Sequence, residues 1–171
     1  DVLLMVRPET TFYRRLSKAF ERIAATLDPL AVVHRSFTEE MKPEEIAKRI
    51  LSTETPRAGL ILAVPNSPLI SAAVEAVIGR GVPVVHVVTR ASGNSAEFVG
   101  IDNYAAGRTA AYFIARMVRG TGPVVALCHP IYQVHRDRIR GFSDYFLEHP
   151  GSIAFEWLGF SRDEENFSRS E

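Results

Sequence analysis

The sequence has a single cysteine, no excess of either charge, and no apolar run long enough to cross a bilayer. Each shortage excludes something. One thiol, Cys128, rules out an internal disulfide. Within "VVALCHP" it closes a buried-strand pattern, where cysteine acts as a small hydrophobe, and such usage is compatible with a reducing compartment. Lys+Arg and Asp+Glu number 20 each, for a formal net charge of zero. That argues against nucleic-acid binding by this stretch itself, because phosphate affinity needs a basic excess or patch. The longest apolar runs, such as "AGLILAV" at 58–64, fall far below the ~20 residues of a spanning helix, so no membrane partner is expected.

Several chemical signatures are also missing. No G-x-G-x-x-G follows a strand pattern, and the Gly120-Thr121-Gly122 turn lacks the Lys-Ser/Thr of a phosphate-binding loop. No G-x-S-x-G elbow marks a nucleophile. Of the five histidines, only His129 and His135 lie close together, beside Cys128, and their spacing is not that of metal ligands. His34 and His86 fall at strand ends, where hydrogen-bonded core histidines are expected. The chain is therefore read as a non-enzyme with no cofactor and no metal.

What is present is a regular alternation of strand-length apolar runs and amphipathic helical segments. Strands are expected at 2–6, 30–34, 58–64, 82–88, 97–101, 124–128 and 153–158. Helices are expected at 11–27, 43–51, 68–78, 104–119 and from about Arg136 to Glu148. Phe12, Leu16, Phe20, Ile23 and Leu27 recur at helical spacing. Pro43 and Pro68 suit the first turn of a helix, where a missing N–H costs nothing. Asp1 stands directly before a strand, and the tail "SRDEENFSRSE" places Ser161 as an N-cap over Glu164. Both ends are thus expected to be cut.

Strand–helix alternation with continuous apolar strands implies parallel βαβ units covered on both faces, a Rossmann-like α/β sheet sandwiched by helices. In such sheets ligands sit beyond the carboxyl ends of the strands. The informative stretches are therefore "RPETTFY" (7–13), "PNSP" (65–68), "TRASG" (89–93), Asp102-Asn103 and "HPIYQVHRDR" (129–138). They are richer in fork donors, hydroxyls and rings than in acid–base pairs. Arg90 and Arg138 offer planar donors, Phe12, Tyr13 and Tyr132 offer flat apolar faces, and Asp102 accepts hydrogen bonds. Such a set suits a small polyhydroxylated ligand. Position alone leaves Arg90 and Arg138 open between ligand contacts and solvated surface charges.

Three segments carry a family pattern in the expected order. They are "GVPVVHVVTR" (81–90), "VGIDNYAAGRTAAYFIARM" (99–117) and the Arg-x-x-Gly-Phe of "RIRGFSDYF" (138–146). Together they resemble the effector-binding domains of the LacI/GalR family of bacterial transcription regulators, a type I periplasmic-binding-protein-like fold. The resemblance implies a first lobe over 1–102 and part of a second lobe over 103–171, with a small sugar-like effector held in the cleft between them. It implies ligand contacts from Arg138 and from Asp102, with Asn103 capping the following helix. Thr89-Arg90 stands where sugar binders often carry Asp-Arg, and Phe12-Tyr13 keep the aromatics of a common Asn-Pro-Phe-Phe stretch. Tyr132 adds a ring to this set. It further implies a cytoplasmic homodimer that meets operator DNA through a helix-turn-helix headpiece outside this chain. A periplasmic sugar-binding protein of an ABC transporter shares the fold and is the alternative.

Overall fold

The computed structural model describes residues 2–6, 11–27, 33–37, 41–118, 123–128, 132–151 and 154–159, with 2–6 and 33–37 as backbone only. The expected Ser161 cap, the Gly120–Gly122 turn and His129 lie outside the described residues, as do the side chain of His34 and parts of two strand-end loops (7–10 and 129–131). The chain divides into two compact units, Asp1–Gly100 and Ile101–Glu171.

Unit 1 contains β1 (Val2–Val6), α1 (Thr11–Leu27), β2 (Val33–Phe37), α2 (Pro43–Leu51), β3 (Gly59–Leu62), α3 (Pro68–Ile78), β4 (Val84–Val87) and β5 (Glu97–Val99). All five strands are parallel, in the order β2-β1-β3-β4-β5. This is the doubly wound order whose switch point lies between β1 and β3. Of the expected strand at 30–34, residues 30–32 lie outside the described residues; β2 runs Val33–Phe37, three residues past the expected end, and pairs Val2↔Val33 through Val6↔Phe37. An edge strand ladders on one side only, so it accommodates His34, Arg35 and Ser36, which an apolar-run criterion passes over.

The pleat sorts the strand residues between two helical layers. Leu60 and Leu62 of β3 and Val84 of β4 join Ile46 and Ile50 of α2 and Ile70, Val74 and Val77 of α3 in one core. On the opposite face Ala63 and Val87 are packed by Tyr13, Leu16 and Phe20 of α1. Pro43 and Pro68 occupy helix starts as expected. Two arginines close the C-terminus of α2: Arg57 Nη1 donates to the carbonyls of Arg49 and Ile50, and Arg80 Nη1 to that of Leu51. These carbonyls are among the last four a helix leaves unpaired.

His86 of β4 is 1% exposed, yet neither ring nitrogen finds a hydrogen-bond partner among the described residues. Burial holds its pKa below the ordinary imidazole value, and the Arg90 charge acts in the same direction. The Asn94 side chain and the Leu62 carbonyl oppose this, although neither completes a well-formed hydrogen bond. His86 is thus buried as expected from sequence, but the hydrogen bonds expected of it are absent among the described residues.

Unit 2 contains α4 (Asn103–Met117), β6 (Val124–Cys128), α5 (Gln133–Glu148) and β7 (Phe155–Gly159), with β6 and β7 parallel. Helix α5 starts at Gln133, three residues before the expected Arg136, so Tyr132 takes the N-cap position and His135 lies within the helix. Helices α4 and α5 cross at two glycines. A Cβ on Gly107 would collide with the Arg138 carbonyl, and one on Gly141 with the Tyr104 carbonyl. The two backbones therefore touch where any side chain would part them. Around the crossing, Tyr104 Oη donates to Asp144 Oδ2 at 2.9 Å, and Arg108 pairs through both terminal nitrogens with Glu148. Phe142 is buried between α5 and β7, its ring centroid 4.7 Å from that of Phe155.

Two outcomes are expected. Gly107→Ala and Gly141→Ala should each destabilise the protein by about 2–3 kcal/mol or more, since the crossing must open. Gly79→Ala, where a Cβ meets only ordinary contacts at 3.5 Å, should change stability by less than about 1 kcal/mol; urea melts of the three variants check this. Because the folded pKa of His86 is depressed, its contribution is complete above the unfolded value of about 6.5 and is lost as pH falls through the folded value. The denaturation midpoint should therefore drop between about pH 7.5 and about pH 5, and His86→Leu should flatten that slope.

Candidate functional site

The candidate residues are placed by strand ends and helix starts in both units. In unit 1, Phe12 lies in the first turn of α1, 55% exposed, with its ring edge-on to Tyr13 at a centroid distance of 5.3 Å. Tyr13 is half-buried and packs on the face of the sheet formed by Ala63 and Val87. The side chains of α1 follow helical spacing, so the exposed ring of Phe12 and the inward ring of Tyr13 are set by one residue of rotation.

Among the described residues, the loop after β4 carries the one residue other than glycine with positive φ. Val88 has φ 66°, a left-handed conformation disfavoured for a β-branched residue. The Thr89 N–H reaches back to the Val87 carbonyl at 2.7 Å, closing a three-residue turn, and Val88 N–H is held by the Val99 carbonyl of β5. Strain of this kind costs on the order of 1–3 kcal/mol and persists where the surroundings over-determine it. Its consequence is a sharp change of direction. Thr89 is turned inward, 2% exposed, with Oγ1 unpartnered among the described residues, while Arg90 is turned outward. The Arg90 guanidinium carbon stands 5.3 Å from the centroid of the Phe98 ring in β5, a cation–π contact that restricts the side chain.

The same loop is fastened at several further points. Asn66, after β3, accepts from Ser92 N–H at 3.0 Å and donates to Ser92 Oγ at 3.3 Å. Asn94 donates to Ser71 Oγ and the Ala91 carbonyl, and the Glu75 carboxylate of α3 accepts from Ser95 N–H and Oγ. Sequence reasoning marked 65–68 as a strand-end stretch but did not give Asn66 this bracing role. An Asn two residues beyond the strand expected at 58–64 was the available signal.

In unit 2 the roles expected of Asp102 and Asn103 are exchanged as regards capping. Asp102 is the N-cap of α4: its Oδ1 accepts from Ala105 N–H at 2.9 Å, with extended backbone at φ −71°, ψ 97°. Oδ2 lies outside the cap, and the residue is exposed. Asn103 is the first residue of the helix and is buried at 6% exposure. Its Nδ2 donates to the Ile101 carbonyl at 3.1 Å and its Oδ1 accepts from Arg138 Nε at 2.7 Å. A carboxylate caps more strongly because its charge also meets the positive end of the helix dipole. Arg138 is itself exposed. Tyr132 is half-buried at the start of α5, its ring 5.6 Å from that of His135.

Within each unit, then, the structure gathers part of the expected set. Unit 1 brings Tyr13, Thr89 and Arg90 to the carboxyl ends of β3 and β4. Unit 2 joins Arg138 to the residue next to Asp102. The hollows elsewhere use other residues: one of about 390 Å³ lies beside α2 at Met41, Glu45 and Arg57, and one of about 310 Å³ lies in unit 2 at Cys128, Ile139 and Trp157. Burial raises the Cys128 pKa, which makes the thiol less reactive. Among the described residues no group of three or more His, Cys, Asp or Glu could hold a metal ion, and no helix is long and apolar enough to cross a membrane.

Comparison with known proteins gives one family and one fold. The family model of the periplasmic binding protein domain matches residues 3–165. Among curated proteins, none matches significantly. AraP, an arabinose binding protein from Geobacillus stearothermophilus, is 24% identical with a TM-score of 0.69, over 93% of this chain and 56% of its own. GanP, a glucose-galactose binding protein from the same organism, is 18% identical with a TM-score of 0.78, over 98% and 62%. The Caulobacter myo-inositol binding protein, solved with myo-inositol, is 20% identical with a TM-score of 0.77, over 99% and 60%. The chain thus spans less than two thirds of each of these structures, and the likeness is one of fold.

The cap assignment predicts that Asp102→Ala lowers stability by about 1 kcal/mol, and that Asp102→Ser, which can still accept from Ala105 N–H, restores most of it. Thermal melts of the two variants decide the point.

Proposed function

Because the chain belongs to the periplasmic binding protein domain family, we propose that it binds a small polyhydroxylated ligand, a sugar or a close relative, as the sensing domain of a LacI-type transcription regulator. The observation that carries the binding proposal is the pairing of Arg138 with Asn103 beside the Asp102 carboxylate. A guanidinium held at Nε keeps its two terminal nitrogens for paired oxygen acceptors, and the neighbouring carboxylate accepts from hydroxyls. In this proposal the strand ends of unit 1 complete the site. Phe12 and Tyr13 supply apolar faces for sugar C–H groups, Tyr132 adds a third ring, and Arg90 supplies a second fork. The buried Thr89 hydroxyl meets its unfilled hydrogen-bonding requirement with a ligand hydroxyl or a water.

No covalent step is involved. Ligand shifts an equilibrium between arrangements of the two units by its differential affinity for them. In the regulator reading that shift is transmitted to a homodimer and from it to operator DNA, through a headpiece outside this chain, in the cytoplasm. The three family-like segments in order, "GVPVVHVVTR", "VGIDNYAAGRTAAYFIARM" and "RIRGFSDYF", support this reading. A second reading is a sugar-binding receptor of an ABC transporter, supported by the solved proteins of like fold, which are named as binding proteins for arabinose, glucose-galactose and myo-inositol.

Calorimetric titration of the full-length protein with L-arabinose, D-glucose, D-galactose and myo-inositol tests the proposal. At least one should bind, and Arg138→Ala should raise its Kd by about tenfold or more, the worth of a charged hydrogen bond. A ligand whose affinity survives Arg138→Ala would place the pocket elsewhere. A sugar-dependent change in DNA mobility supports the regulator, and sugar binding without any DNA affinity supports the receptor.

A further inference from the structure

The reading of Arg138 as a ligand donor rests on the function proposed above. The structure adds how that donor is held. Asn103 is buried, and both ends of its amide are engaged: Oδ1 accepts from Arg138 Nε at 2.7 Å and Nδ2 donates to the Ile101 carbonyl at 3.1 Å. Turning the amide over would set its NH₂ against the Nε–H and its oxygen against a carbonyl oxygen. Two attractions would become two repulsions, so the orientation is fixed by the partners. Asn103 is also free of the duty its position suggests, since the helix cap is supplied by Asp102.

Arg138 is constrained from its other end as well. Its carbonyl lies against Gly107, so close that a Cβ on that glycine would overlap it. Backbone and Nε are therefore both located relative to the start of α4. Nε carries a single N–H, and its use by Asn103 leaves the end-on Nη1/Nη2 fork for other acceptors on an exposed side chain. An arginine on a free stem loses rotamer freedom when it binds, whereas one already tethered loses it on folding.

We propose that Asn103 is a positioning residue: through Oδ1 it fixes Arg138 so that both terminal nitrogens present a preformed fork to paired oxygen acceptors, such as the vicinal hydroxyls of a sugar. Asn103 itself touches no ligand. Its effect on binding passes through Arg138.

Two measurements on the full-length protein test this, and the first needs no ligand. In ¹H–¹⁵N spectra of the arginine Nε–H groups, the Arg138 signal should exchange with solvent about tenfold or more slower than those of exposed arginines. Asn103→Leu should abolish that protection, and Asn103→Asp, which keeps an acceptor for Nε, should retain it. An Arg138 signal that exchanges at the exposed rate in the wild type overturns the proposal, whatever the variants do. The second measurement is calorimetry with whichever of L-arabinose, D-glucose, D-galactose or myo-inositol binds. Asn103→Leu should weaken binding about tenfold, but change it by less than about twofold when Arg138 is already alanine. Equal losses in both backgrounds overturn the proposal. A slow Arg138 signal in a protein that binds none of the four sugars upholds the positioning role and defeats the sugar reading instead.

Discussion

The close crossing of α4 and α5 is the constraint on which unit 2 depends. Gly107 and Gly141 let two backbones touch, each occupying the space where the other helix would carry a Cβ. Everything polar along that seam follows from the short separation. Tyr104 reaches Asp144, Arg108 reaches Glu148, and Asn103 reaches Arg138 Nε. Were the helices held apart by even a methyl group at either glycine, these contacts would lengthen together, and the arginine would lose its tether along with its backbone register. A packing requirement at two small residues thus becomes a statement about the direction of a guanidinium.

Unit 1 reaches a similar end by another route. Its sheet and two helical layers are an ordinary doubly wound core, and the candidate residues stand at its carboxyl edge. There the chain is forced through a left-handed valine, and the cost is borne by a loop fastened to α3 and to the end of β3 through Glu75, Ser71 and Asn66. Fastening at three residues is what over-determines the strained residue. The result is a buried hydroxyl and an exposed arginine on consecutive residues, a division that a relaxed extended strand would also give but without fixing the loop beyond it. In both units, then, the proposed contact residues include polar groups immobilised from behind.

Much of this was legible in the sequence. The helices at 11–27, 43–51 and 68–78 coincide with the periodicity and the N1 prolines, because amphipathic spacing and proline chemistry are local. The parallel sheet followed from alternation of elements, and the periplasmic-binding-protein-like domain, the broader part of the resemblance, from three short segments. Strand β2 runs past the expected end through Arg35, Ser36 and Phe37 because an edge position, which is a tertiary property, admits polar residues. The start of α5 was missed by three residues, since "QVH" carries no cap signal. The exchange between Asp102 and Asn103 was hidden for a different reason. Either residue can cap a helix, and only the partner thirty-five positions away decides which one is left for another task.

In the proposed function a ligand is recognised by a fork and a carboxylate whose freedom has been removed in advance. The most direct test is a crystal structure of the full-length protein with the tightest-binding sugar of the four. The account predicts sugar oxygens within about 3 Å of both Arg138 terminal nitrogens, with Nε still bonded to Asn103. A sugar bound elsewhere, or an Arg138 that has swung off Asn103 to reach it, would contradict the account.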